Sequence, residues 1–254
     1  MHIIVCIKSV VVDAPRGKIV RSTDNCAFNP FDRPSLEVAL NMKATHGGSV
    51  TVLSMGPPSA ETSLREAMAA GADRAVLLSD PALAGSDTLA TSTALCAGIK
   101  SLAPFDLLLF GMRTSDSDTG QVGQQTAVLL DLPMLSGAMQ IEAAAGILTV
   151  SRIMDGFSEI YELELPGALS VHPSAAVPRD AELAQIAEAF EDKTVDTLTA
   201  DQLALDPLLV GDAGSPTRVR SMQTAEKKRR CRWIEGTAVD QADALVKHLL
   251  DAGL

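Results

Sequence analysis

Two kinds of segment alternate along the first half of the chain. Short apolar runs rich in Val, Ile and Leu occur at Ile3 to Ile7, Ser49 to Ser54, Ala75 to Leu78 and Phe105 to Phe110. Such runs predict strands buried on both faces, as in a parallel sheet. Between them lie stretches of helical spacing. In Arg33 to Thr45, positions Leu36, Leu40 and Lys43 fall three or four apart, and Ala60 to Ala70 is closed by Gly71 as a C-terminal cap. Asp87 to Leu102 and Gly120 to Leu130 supply two more helices. Strand and helix in repeated alternation predict a doubly wound, mostly parallel α/β sheet.

The pattern changes from Gly137 onward. Met139 to Ala143 and Ile147 to Arg152 read as strands joined by a turn at Ala145-Gly146. Ser158 to Leu165 alternates with period two as far as Pro166-Gly167, and Leu169 to His172 adds a short strand. Together these predict an antiparallel extension of the same domain, which then covers residues 1–172. From Pro173 the chain turns polar and irregular, punctuated by Pro178, Pro207 and Pro216, and closes with an amphipathic helix over Asp240 to Leu250. Residues 173–254 have too little periodic apolar content up to Glu235 for a core of their own. They read as an arm that lies on another surface.

Composition narrows the function. Of 254 residues, 32 are acidic and 21 basic, a net charge of −11 that disfavours sequence-independent binding to a phosphate backbone. No apolar run approaches the roughly 18–20 residues of a membrane span. The segment Met1 to Lys8 reads as a first strand rather than a signal peptide. Cys6, Cys26, Cys96 and Cys231 are scattered without C-x-x-C spacing, which fits a reducing cytoplasm and argues against a disulfide framework or a zinc site. His2, His46, His172 and His248 form no metal-binding pair, and no G-x-S-x-G elbow offers a serine nucleophile. The basic run Lys227 to Arg232 lacks interleaved aromatics and reads as a solvated or subunit-facing strip. Aromatic residues make up only 3% of the chain, too few to enclose a flavin ring without a partner.

Three loops at predicted strand ends remain as candidate chemistry. The first runs Gly111-Met112-Arg113-Thr114-Ser115-Asp116-Ser117-Asp118-Thr119-Gly120-Gln121-Val122, after a buried strand and at the opening of a helix. There the backbone can approach a ligand closely and helix-start amides can hold an anion; the plainer alternative is a connecting loop with Asp118 or Thr119 as its N-cap. Neither a G-x-G-x-x-G nor a Walker-type motif is present. The second is Asn29-Pro30-Phe31-Asp32-Arg33-Pro34, either a helix start capped by Asp32 or a purine site flanked by Asn29 and Phe31. The third is Ser54-Met55-Gly56-Pro57-Pro58, a strand end that also reads as a plain turn.

These residues, in this order, resemble the β subunit of electron transfer flavoprotein. The resemblance is carried by Val5-Cys6-Ile7-Lys8, Asn29 to Asp32, Leu53 to Pro57, Ala69 to Arg74, the Gly111 to Thr126 loop, Asp155-Gly156, Glu159, Leu165-Pro166, Pro178-Arg179 and Ser215 to Arg218, and spans the chain. It implies a Rossmann-like, adenine-nucleotide-binding fold and an α subunit that carries most contacts to a redox-active FAD. It implies a nucleotide pocket lined by Cys6, Asn29, Pro30, Phe31, Asp32, Met55 and Gly111 to Val122, holding AMP or a second FAD. Electrons then come from a flavin dehydrogenase and pass onward, with no acid, base or nucleophile required of this chain.

Two departures from the family pattern matter. Pro178 to Ile186 resembles the family's recognition loop, with Leu183 as the anchor and Ile186 beside it, the alternative being a solvated amphipathic helix. Glu188, Glu191 and Asp192 follow where the family usually has lysines, which points away from the usual acyl-CoA dehydrogenases as partners. Around the loop glutamine, Gly120 and Val122 replace an asparagine and a threonine, which brings the loop closer to relatives that hold a second FAD and bifurcate electrons from NADH. Gln124-Gln125-Thr126 resembles the AMP type instead. Stress-type nucleotide-binding regulators and adenylating enzymes share this βα architecture. The long arm argues against the first, and the lack of a pyrophosphate loop within Ser9 to Gly17 against the second.

Overall fold

The computed structural model describes residues 1–12, 25–221, 231 and 233–253. The basic run other than Cys231, and residues 13–17 of the segment after the first strand, lie outside the described residues. The chain divides into two units, Met1–Ser221 and Met222–Leu254.

The first unit is built on strands β1 (His2–Cys6), β4 (Ser49–Met55), β5 (Arg74–Leu78), β6 (Leu107–Gly111), β7 (Met134–Ala138), β11 (Gly167–Val171) and β12 (Asp196–Leu198). They form one parallel seven-stranded sheet in the order β12-β5-β4-β1-β6-β11-β7. Helices α1 (Arg33–His46) and α2 (Glu61–Ala69) pack on one face, where Ile3, Val5, Val50 and Val52 meet Leu36, Leu40 and Leu64. Helices α3 (Thr88–Ser101) and α4 (Val122–Leu129) cover the other, where Ile4, Leu53 and Leu108 meet Leu95, Ile99 and Ala127. The architecture is therefore the doubly wound α/β sheet that the apolar runs predict.

An antiparallel sheet lies on the α1 side, in the order β10-β9-β8, from β8 (Gln140–Ala144), β9 (Ile147–Met154) and β10 (Phe157–Glu164). Both of its turns use two positive-φ residues, Ala145-Gly146 and Asp155-Gly156, which suits tight hairpins. Leu148, Val150 and Leu163 point into the main core. One strand corrects the sequence reading. Leu169 to His172 is not part of this extension, because β11 inserts in parallel between β6 and β7 and is buried along its whole length. Its unbroken burial is the mark of a two-sided parallel strand.

The elements the periodicity did not announce are short. Strands β2 (Ser9–Val11) and β3 (Cys26–Phe28) make a three-residue ladder, β12 pairs with β5 at the sheet edge, and β7 is interrupted by Gly137. Helix α5 (Leu183–Glu191) lies over α2. In the second unit, α6 (Ala238–Asp251) opens with a Thr237/Asp240 capping box and exposes Val239, Leu245, Val246 and Leu250. Among the described residues no helix is long and apolar enough to cross a membrane.

Candidate functional site at the sheet switch point

Strand order reverses between β1 and β6, since the chain winds outward through β4 and β5 and then returns to the other side of β1. In an open α/β sheet the crevice at the carboxyl ends of such a pair is where ligands bind. Two of the three sequence-predicted loops converge there. Asn29 is fully buried, its amide donating to the Arg113 carbonyl at 2.9 Å and its carbonyl oxygen accepting from Ser115 N–H at 3.3 Å. Its own N–H donates to the Lys8 carbonyl at 3.0 Å. One side chain thus ties the end of β1 to the loop after β6.

Asp32 does not act as the side-chain cap of α1 that the sequence suggests. It stands at the N-cap position, but its carboxylate makes no capping bond and instead accepts from Lys8 N–H at 2.7 Å. Burial pushes this carboxyl up to about 7, against the pull of hydrogen bonds from Lys8, Asn29 and Gly111. Gly111 is glycine for a steric reason, because a Cβ there would overlap Asp32 Oδ1 and sit 2.7 Å from the Phe31 carbonyl oxygen. The Cys6 thiol beside it is buried and pushed far up, first by burial and then by Asp32, so it stays a thiol rather than a thiolate nucleophile.

The loop's two carboxylates are neutralised in place. Lys8 Nζ pairs with Asp116 at 2.7 Å and donates to Ser117 Oγ at 3.2 Å; Arg113 pairs with Asp118 at 3.5 Å. The Arg113 guanidinium also stacks 4.5 Å above the ring of Phe31, which is half-buried, while Pro30 is exposed. Thr114 and Ser117 share a 2.8 Å hydroxyl contact, and Asp118 N–H donates to the Thr114 carbonyl. Asp118 and Gly120 both adopt left-handed backbone. Neither Asp118 nor Thr119 caps α4. The N-cap is Gln121, which makes no side-chain capping bond. Gly123 brings α4 close to β6, since a Cβ there would lie 3.0 Å from the Phe110 ring.

Of the predicted pocket residues, Cys6, Asn29 to Asp32 and the Gly111 to Val122 loop therefore meet at the carboxyl ends of β1 and β6. Met55 stands half-buried at the carboxyl end of β4, along the same sheet edge, with no hydrogen bond to the loop. Lys8, Ser35 and Ser92 are contributors that spacing alone could not reveal. Ser35 Oγ donates to the Phe110 carbonyl at 2.9 Å and Ser92 Oγ to the Val122 carbonyl at 3.2 Å, fixing the two ends of the loop.

Leu183 and Ile186 lie elsewhere, on α5. That helix is anchored by buried Ala189 and by Arg65, which donates to the carbonyls of Ala189 at 2.6 Å and Lys193 at 2.9 Å. The opposite face presents Leu183, 87% exposed, with Ile186 and Phe190 three and seven positions on. Phe190 completes a stripe whose third member the sequence reading left out. Upstream, Arg179 grips Glu37 through two of its guanidinium nitrogens, Nη2 at 2.8 Å and Nε at 2.9 Å. Burial raises the Glu37 carboxyl, but these bonds outweigh it and hold the group below its ordinary value.

Fold and crevice define a doubly wound α/β protein with a prebuilt loop site at its switch point. Residues 16–203 match the electron transfer flavoprotein domain family. The chain is 37% identical to the electron transfer flavoprotein subunit beta of Clostridium acetobutylicum, over 98% of both chains. It is 36% identical to the caffeyl-CoA reductase-Etf complex subunit CarD of Acetobacterium woodii, again over 98% of both. Against protein FixA of Rhizobium meliloti the identity is 38%, over 93% of this chain and 86% of the relative. The chain belongs to the electron transfer flavoprotein β-subunit family.

Proposed function

We propose that this chain is the β half of a cytoplasmic two-subunit electron carrier and that it holds an adenine nucleotide in the crevice between β1 and β6. The observation that carries this reading is the interlock of Asn29, Asp32 and Gly111 beside an α4 N-terminus whose N-cap residue, Gln121, makes no side-chain capping bond. Those first-turn amides suit a phosphate, and the loop that would contact it is ordered in advance. Cys6, Asn29 to Asp32, Met55 and Gly111 to Val122 line the pocket in this proposal. The ligand is AMP or a second FAD. An α-type subunit carries the main FAD, which supplies the redox chemistry when bound, and the parts of residues 173–254 not built into this fold through α5 and β12 embrace that subunit as an arm. The stripe of Leu183 and Ile186 docks a flavin dehydrogenase that delivers the electrons, one exposed anchor being enough for a transient encounter.

A second reading, NADH-dependent electron bifurcation through a second FAD, is favoured by one feature. Gly120 adds no side chain to the loop, and Val122 offers no hydroxyl where the AMP type has a threonine. Acid extraction of the co-expressed α–β complex, followed by chromatography, separates the two. One FAD with one AMP per complex supports the single-electron carrier; two FAD and no AMP support bifurcation. A complex that retains neither nucleotide overturns both. A Gly120→Asn, Val122→Thr double variant is expected to shift the pocket towards AMP, and unchanged nucleotide content would sink that part of the argument.

A further inference from the structure

The α1 side of the first unit carries a groove of about 460 Å³ that lies away from the nucleotide loop. One wall is a single face of α1, where Val38, Met42 and His46 are spaced by four, with Asn41 and Thr45 alongside. The other wall is the consecutive run Met139–Ala143, at and around β8. Side chains of a strand alternate between faces, so five consecutive residues line one groove through the main-chain edge. That edge is open, because β8 ends its sheet and pairs only with β9 among the described residues. It carries neither lysine nor proline, and Glu142 is the one charged residue in Gln140–Ala144.

Among the described residues the same sheet is unpartnered on its outward face. Ile153 and Ile160 are 64% and 72% exposed there, and Phe157 at the hairpin end is 71% exposed. Glu142 and Glu162 lie on that face too, both in register with Thr149, and Glu164 follows along the strand. At the open edge itself, Glu142 faces outward and the apolar wall of α1 lies inward, which specifies the occupant: an extended segment with apolar residues towards the groove and lysine or arginine alternating on the outward side. Self-pairing of two copies would instead bring these carboxylates together in a chain that already carries a net charge of −11.

We propose that the β8 edge is a strand-addition site, and that the α-type subunit of the complex fills it with an extended, basic-apolar segment in the groove against α1. The proposal rests on the two-subunit reading above. Main-chain pairing would supply affinity, and the groove face of α1 would select the side chains.

The test uses the full chain, alone and in the α–β complex. Hydrogen exchange at the amides of residues 140–143 is expected to slow at least tenfold in the complex. Thr45→Trp fills the groove from an exposed position on α1 and is expected to weaken assembly at least tenfold. Ala44→Trp, one residue around the helix and outside the groove, is expected to stay within twofold, with both variants matching wild type in circular dichroism. If the complex forms but these amides exchange as in the free chain, or Thr45→Trp assembles like wild type, strand addition is wrong while the two-subunit reading stands. Protection that grows with the concentration of the chain alone would identify a second copy as the occupant and overturn the proposal. Failure to form any complex would overturn both readings.

Discussion

Replacing Gly111 with alanine adds one methyl group at the point where the two site loops touch. Gly111 is not in the left-handed backbone region, so the penalty is steric rather than conformational. The new Cβ overlaps Asp32 Oδ1 and approaches the Phe31 carbonyl oxygen to 2.7 Å. Neither neighbour can yield cheaply. The Asp32 carboxylate is held by Lys8 N–H at 2.7 Å, and the Phe31 backbone lies between residues pinned by Asn29 and by α1. Forcing an extra methyl into such a site costs about 1–3 kcal/mol. Displacing a hydrogen bond to a buried carboxyl adds about 1.5–3 kcal/mol. The expected loss is therefore about 3–6 kcal/mol, against a total stability of about 5–15 kcal/mol. Gly123→Ala is the control. Its Cβ would meet Phe110 Cγ at 3.0 Å and Cβ at 3.2 Å, a contact milder than the overlap at Gly111, and a helix gains up to about 1 kcal/mol from the substitution. Urea denaturation of both variants, with nucleotide content measured in parallel, reads the difference. Gly111→Ala should also couple to Asp32→Ala by more than about 1 kcal/mol in a double-mutant cycle. Equal costs for the two glycines, or a Gly111→Ala loss below about 1 kcal/mol, would refute the interlock.

Three further outcomes follow from the same geometry. Asp32 binds its proton more tightly folded than unfolded, so stability falls as pH rises from the ordinary carboxylate range towards about 7; between pH 5 and 8 wild type should lose about 2–3 kcal/mol relative to Asp32→Asn in urea denaturation. Arg179→Ala strands a largely buried Glu37 and should cost about 1–3 kcal/mol, discounted because the arginine is half exposed; because the pair depresses Glu37, its contribution is present at neutral pH and lost as pH falls through the lowered value, so the variant's pH–stability profile should flatten at the acid end. Leu183→Asp should leave Tm within about 1 °C, since the side chain touches little, yet cut kcat/KM for electron transfer from the dehydrogenase by at least about tenfold; an unchanged kcat/KM would remove Leu183 from the docking surface.

Much of the architecture is readable before folding because strands buried on both faces must be apolar throughout. Ile3 to Ile7 and Phe105 to Phe110 announce themselves in that way. The same rule, applied to Gly167–Val171, would have placed β11 in the main sheet; its position after three antiparallel strands obscured it. Ladders of three residues, such as β12 and the β2–β3 pair, leave too little pattern to detect. At the sheet switch point, glycine and polar spacing pointed to two loops that the fold brings together. What spacing cannot show is direction: Asp32 sits where a cap belongs and turns instead towards Lys8 and Gly111, which are distant in sequence. Lys8 belonged to a motif of the family resemblance, but its pairing with Asp116, 108 positions on, is visible only in the fold.

The pairing of β12 with β5 has a consequence for biosynthesis. The Ala200 N–H that secures this edge bonds to Asp80, 120 positions earlier. At about 5–20 residues per second, a nascent chain holds the β5 edge open for roughly 6–24 s before its cover is made. That edge carries Val76, Leu77 and Leu78, each fully or almost fully buried in the finished fold. A transcript truncated just before Asp196 would leave it open permanently, and such a product is expected to associate edge to edge and be cleared rather than to persist as a shortened subunit.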